Sequence, residues 1–207
     1  CLVRLNAEYV RDGDLDVVRS NLWFENADGT GQRWATHENI PFGNPNQPFP
    51  LGTHCVVLDV DRDGDHDLVM TENEIKGGRI AWLENTDGRG GAWRAHDLPA
   101  GDTAVRGAYH SLVVADFDND GDPDVFTCEM EGIPGARPPR WFLWENADGK
   151  GQQFVERVIL DANLGGPAAV AADFDGDGDV DLVSKLWRPR KDYANGGNYD
   201  VDFLEYQ

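Results

Sequence analysis

The sequence predicts an all-β protein, a β-propeller of four-stranded antiparallel blades, with about four blades in 207 residues. Three observations predict it. A nine-residue acidic loop is written three times, a longer unit recurs every 57 residues, and each unit holds four short apolar runs bounded by turn residues. No stretch carries convincing helical periodicity.

The loops read Asp59-Val-Asp61-Arg-Asp63-Gly64-Asp65-His-Asp67, Asp116-Phe-Asp118-Asn-Asp120-Gly121-Asp122-Pro-Asp124 and Asp173-Phe-Asp175-Gly-Asp177-Gly178-Asp179-Val-Asp181. So many carboxylates in one loop repel one another unless a hard cation sits among them. Glycine at position 6 turns the chain sharply, so that the side chains at positions 1, 3, 5 and 9 and the carbonyl at position 7 can converge. Oxygen-only donors favour Ca2+ over Mg2+, which demands tighter octahedral geometry, and over Zn2+, which prefers His and Cys. A single such cluster is usually only a polar turn, but three near-identical copies argue for a cation loop. A fourth copy, Glu8-Tyr-Val10-Arg-Asp12-Gly13-Asp14-Leu-Asp16, places Val10 at the second ligand position and predicts a weak or empty site.

The loops are one part of the longer unit. Asp59 to Asp116 and Asp116 to Asp173 each span 57 residues, and Glu8 to Asp59 spans 51. A second echo follows each loop, as Trp23-Phe-Glu25-Asn26-Ala-Asp28-Gly29, Trp82-Leu-Glu84-Asn85-Thr-Asp87-Gly88 and Leu143-Trp-Glu145-Asn146-Ala-Asp148-Gly149, with Phe203-Leu-Glu205 beginning a fourth. A third echo runs Trp34 to His37, Trp93 to His96 and Phe154 to Arg157, which makes His37 and His96 structural. In the second unit the predicted strands are 54–58 (A), 67–71 (B), 79–84 (C) and 92–97 (D), with an Asp-Gly hairpin turn between C and D. Four antiparallel strands per unit make a propeller blade. The blades fall at about 1–50, 51–107, 108–164 and 165–207, the last without its outer strand.

Loops of the form Asp-x-Asp-x-Asp-Gly-x-x-Asp followed by apolar residues resemble the FG-GAP or VCBS repeats of integrin α-subunit heads, bacterial surface proteins and some propeller-bearing polysaccharide lyases and lectins. The resemblance spans essentially the whole chain. By position it implies Ca2+ at Asp59, Asp61, Asp63 and Asp67, at Asp116, Asp118, Asp120 and Asp124, and at Asp173, Asp175, Asp177 and Asp181. Asp65, Asp122 and Asp179 would add main-chain oxygens. The weaker set is Glu8, Asp12, Asp14 and Asp16. The family commonly has seven or eight blades where four are counted here, so the chain is expected to be a segment of a larger ring, half of a two-chain ring, or an unusual four-bladed one. The motif specifies fold and metal better than function.

Composition agrees with an extracellular β-protein. Hydrophobic residues make up 40% of the chain and include seven Trp, enough for a sizeable core. No apolar stretch approaches the length of a membrane-spanning helix. The formal charge is −20, and three bound Ca2+ would offset six charges to leave about −14, a poor surface for nucleic acid. Extracellular calcium modules bind at roughly 0.1–1 mM, which fills such sites outside a cell and leaves them mostly empty in cytosol. Three cysteines are an odd number. Cys55 and Cys128 read as buried thiols, and Cys1 as either a lipidated N-terminus or the start of a shortened chain.

The acidic loops and the Asp-Gly turns belong to one end of the sheets, and the longer D-to-A and B-to-C connections to the other, where binding residues concentrate. Ligand-binding candidates there are His54, Glu72, Tyr109, His110, Glu129, Trp187 and Arg188, whose rings and polar groups suit a sugar. Equally, His54 and His110 read as ordinary strand-end residues and Trp187 as packing under its loop. Two functions follow. The first is a calcium-stabilised module that binds glycan or extracellular protein. The alternative is a polysaccharide lyase acting on uronate-containing glycans, in which Tyr109 or His110 serves as base and Lys185 or Arg188 neutralises the carboxylate.

Overall fold

The computed structural model describes residues 6–7, 13–43, 52–131, 138–162, 164–186, 191, 196 and 201–204. Among the described residues, fifteen strands form four antiparallel sheets, each a simple meander, and there is no helix. The first holds β1 (Asn6–Ala7), β2 (Asp16–Arg19), β3 (Leu22–Glu25) and β4 (Ala35–His37). The second holds β5 (Thr53–Leu58), β6 (Asp67–Glu72), β7 (Ile80–Asn85) and β8 (Trp93–Asp97). The third holds β9 (Val113–Ala115), β10 (Asp124–Cys128), β11 (Trp141–Asn146) and β12 (Phe154–Leu160), and the fourth β13 (Ala168–Ala172), β14 (Asp181–Lys185) and β15 (Val201–Leu204). Observed bounds lie within a residue of those expected for the second unit.

The middle strands of the second and third sheets are covered on both faces, which is why they read as near-continuous apolar runs. Every residue of β6 and of β10 is buried. Along β6 the side chains alternate: Leu68 and Met70 join Val18, Trp23 and Phe42 in one core, and Val69 joins Val125, Phe142 and Trp144 in the next. A third core unites Phe117, Phe126, Cys128 and Trp141 with Leu182. Successive sheets therefore pack face to face, as propeller blades do. Cys55 and Cys128 are free buried thiols.

The echoes form the joints between sheets. Trp82 is fully buried, stacks on His96 with ring centres 4.3 Å apart, and donates its indole N–H to the Gly151 carbonyl of the third sheet at 2.9 Å. His96 in turn meets Glu84 at 2.8 Å. The first sheet repeats this with Trp23, His37 and Glu25, its indole bonding Asn39, whose amide reaches the Gly90 carbonyl. In the third sheet Leu143 and Arg157 replace the Trp and His, and Arg157 pairs with Glu145. A cavity of about 550 Å³ opens there, lined by Phe117, Leu143, Ile159, Leu182 and Leu204 among others. The far face of the fourth sheet exposes Val170, Phe174, Val201 and Phe203.

Trp82→Ala should lower stability by about 3–5 kcal/mol, as for other large-to-small changes in a core. Gly151→Ala should also destabilise, because a Cβ there would lie 2.9 Å from the Trp82 ring at a φ of +69°. Urea unfolding followed by intrinsic fluorescence measures both.

Candidate cation centres

Each acidic loop joins the first strand of a sheet to the second, and its backbone orders it before any ligand is considered. Asp59 accepts the N–H groups of Asp63 at 3.1 Å and Gly64 at 3.0 Å. Asp116 repeats this with Asp120 and Gly121. Asp173 binds Gly178 in the same way. Asp61, Asp118 and Asp175 each accept the N–H two residues on, and so do Asp63, Asp120 and Asp177. The position 6 glycines take φ of +94°, +92° and +99°, a region closed to most side chains.

The loops bring together positions 1, 3 and 9. Asp59, Asp61 and Asp67 each place a carboxylate oxygen within 4.8 Å of the others, as do Asp116, Asp118 and Asp124, and Asp173, Asp175 and Asp181. The position 5 side chains of Asp63, Asp120 and Asp177 fall outside these groups and hold the N–H of position 7 instead. At position 7, Asp65 and Asp122 turn toward Gly88 and Gly149 of the C–D hairpin, where a Cβ would lie 3.0 and 2.7 Å from a carboxylate oxygen. Of the weaker set, Glu8 and Asp12 lie outside the described residues, Asp14 faces Gly29, and Asp16 is fully buried with the Asn26 N–H on its Oδ1.

Position 9 is the anchor. Asp67 is 1% exposed; its Oδ2 accepts the Val60 N–H at 3.0 Å and its Oδ1 the Asn85 N–H at 2.9 Å. Asp124 does the same with Phe117 and Asn146, and Asp181 accepts from Phe174. One carboxylate thus ties the loop to the end of the third strand. The Asn that follows caps the hairpin, its Oδ1 accepting the N–H of Gly31, Gly90 or Gly151. Burial pushes Asp67 up to about 7 and Asp124 up to about 6, although their backbone bonds pull the other way. Burial and then the neighbouring carboxylate at position 5 also raise Asp61 and Asp118. An oxygen-only donor set with raised carboxylates fits a hard divalent cation, whose charge would relieve both causes.

The opposite end gathers a different set. His110 meets the Pro167 carbonyl through Nδ1 at 2.9 Å and Glu74 through Nε2 at 3.2 Å, and the His54 ring stands edge-on 5.7 Å away. Burial, then the adjacent His110, holds His54 below its usual range. Tyr109 is only 3% exposed, set against Phe142 and Trp144, and burial raises its phenol. Glu72 and Glu129 are buried clamps for the connections: Glu72 Oε2 accepts the Arg79 N–H of the B–C connection, and Glu129 takes those of Arg140, also in a B–C connection, and of Gly107 in the D–A connection. Lys185 is exposed at the end of β14, and Trp187 and Arg188 lie outside the described residues. Sequence reading passed over Glu74, which no repeat marks.

The raised pKa values give a sign. A carboxyl raised in the folded state adds stability that is complete below its unfolded value near 4 and is lost as pH rises through about 6 to 7. With chelator present, the protein should therefore melt higher at pH 5.5 than at pH 8. Saturating Ca2+ should remove or invert that order. Calorimetric scans at the two pH values check it, and a chelated melt lower at pH 5.5 would contradict it.

A family model of the FG-GAP-like repeat matches residues 59–127 and 133–184, more than half of the chain. No curated protein matches the chain. The two matched stretches hold all three acidic loops, and with them the chain is assigned: it belongs to the FG-GAP-like repeat family.

Proposed function

We propose that the chain is an extracellular, calcium-stabilised β-propeller module with blades at about 1–50, 51–107, 108–164 and 165–207, and that it binds a glycan or protein partner through the end opposite the cation loops. One observation carries the calcium reading: the same carboxylate trio is built three times at the same strand junction. Asp59, Asp61 and Asp67, with their counterparts in the next two loops, would hold the ion. Asp63, Asp120 and Asp177 would order the loop around it, and the position 7 carbonyl would complete the set. The ion supplies positive charge where the fold concentrates negative charge, and so fixes the junction of first and second strands. Affinity in the range of roughly 0.1–1 mM, typical of extracellular modules, couples the fold to that compartment.

His54, His110 and Glu74 are the polar side chains that support a partner site at the other end, beside the connections between sheets. Among the described residues no helix is long and apolar enough to cross a membrane.

At a tenfold excess of Ca2+ over Kd, each site should add about 1.4 kcal/mol, and three sites about 4 kcal/mol. For a chain of this size that corresponds to a Tm shift of roughly 10 °C. Differential scanning calorimetry with Ca2+ and then EDTA measures it, and an unchanged Tm would refute the calcium reading. A glycan array addresses the partner: hits weakened in His110→Ala support the proposed end, and hits unaffected by it place the ligand elsewhere.

A further inference from the structure

The residue at position 4 belongs to no ligand set, yet in two of the three loops it reaches the next sheet. Arg62 lies on the second sheet's loop, and its guanidinium donates to the carbonyl of Gly121, position 6 of the third sheet's loop. Asn119 occupies the same position one loop on, and its amide donates at 2.6 Å to Oδ1 of Asp179, position 7 of the fourth sheet's loop. Both residues sit at positive φ, +63° for Arg62 and +60° for Asn119, a conformation that costs a residue with a Cβ. Asn tolerates it; Arg has less reason to adopt it. Two successive loops thus spend backbone strain on aiming a donor across an inter-sheet gap, one at position 6 and one at position 7, whose carbonyl is the one assigned to the ion. The fourth loop has Gly176 here, at φ +87°, with no side chain to send onward.

We infer that Arg62 and Asn119 are positioning residues that couple the cation loops, so that filling one loop organises the next. The inference rests on the calcium reading. An ion in the second loop fixes Asp59 and Asp61 and with them the backbone that aims Arg62. Arg62 then holds the Gly121 carbonyl outward, which leaves the Asp122 N–H of the same peptide directed at Asp120 Oδ1, 3.1 Å away. The third loop is thereby closed around its own site before an ion arrives, and Asn119 passes the constraint to Asp179. The coupling runs along consecutive sheets and ends at Gly176.

Simple electrostatics gives the opposite expectation for Arg62. A guanidinium beside a cation site repels the ion, so its removal should tighten binding. Positioning predicts weakening, because a lost hydrogen bond worth about 1 kcal/mol corresponds to roughly a fivefold change. Calorimetric titration of the whole chain with Ca2+ separates the two. Wild type should bind with a Hill coefficient above one. Arg62→Ala should bind in resolvable phases with one class about fivefold weaker, and Arg62→Lys, which keeps a donor of similar reach, should restore the wild-type curve. Asn119→Ala, at the second joint, should loosen one class in the same way and serves if Arg62→Ala does not fold in saturating Ca2+. An Arg62→Ala curve that overlays wild type, or shows tighter binding, overturns the coupling while leaving the calcium sites intact. Absence of any Ca2+ heat in wild type overturns the calcium reading itself.

Discussion

The structure depends on a buried carboxylate that closes each strand junction. At Asp67 and Asp124 two backbone N–H groups from different parts of the repeat meet on one side chain, so the acidic loop cannot move without the third strand and its hairpin. Burying that carboxylate raises its pKa and makes its charge costly. The oxygens already bonded to N–H groups retain lone pairs, and one oxygen of each anchor lies within 4.8 Å of the carboxylates of positions 1 and 3. A fold that needs the anchor thus concentrates negative charge where a cation could offset it, which ties the proposed metal sites to structural order.

The sheets solve a second problem by stacking. Neither a four-residue β2 nor a six-residue β6 is long enough to be independently stable, and a sheet with two apolar faces must be covered twice. The aromatic echoes set the distance between sheets: indole, imidazole and glutamate form one layered unit in the first and second sheets. Where Leu143 and Arg157 take their places, the layer thins and a cavity appears. The pair changes together because an imidazole without an indole to stack on loses its partner, whereas the longer guanidinium can still reach Glu145.

What the sequence made legible was local or periodic. Loop spacing announced positions 1, 3, 5 and 9, of which 1, 3 and 9 gather within 4.8 Å, and the repeat located β5 to β8 to within a residue. Spacing alone could not say that the Asp63 side chain takes up the Asp65 N–H, since alternation along an irregular loop does not fix side-chain direction. Nor could it distinguish Glu72 and Glu129 as clamps from Glu74 as an exposed-end partner of His110. Glu72 ends a second strand while Glu74 and Glu129 follow one, and only the paths of the B-to-C and D-to-A connections decide which backbone N–H groups come near. Tyr109 read as a binding residue because it precedes a strand, yet the third sheet's own Phe142 and Trp144 cover it.

The order of residues at position 4 follows from the same logic of neighbours. A loop with a sheet still to come on its far side has something to hold, and Arg62 and Asn119 hold it. The fourth loop meets no further loop among the described residues, and its apolar position 2, buried as Val60 and Phe117 in the two preceding loops, is exposed as Phe174. Gly176 relieves the left-handed backbone at the point where no lateral bond offsets it. Strain at this position therefore tracks lateral contact from loop to loop, which is the signature expected if each donor is retained for what it does to the neighbouring site rather than to its own.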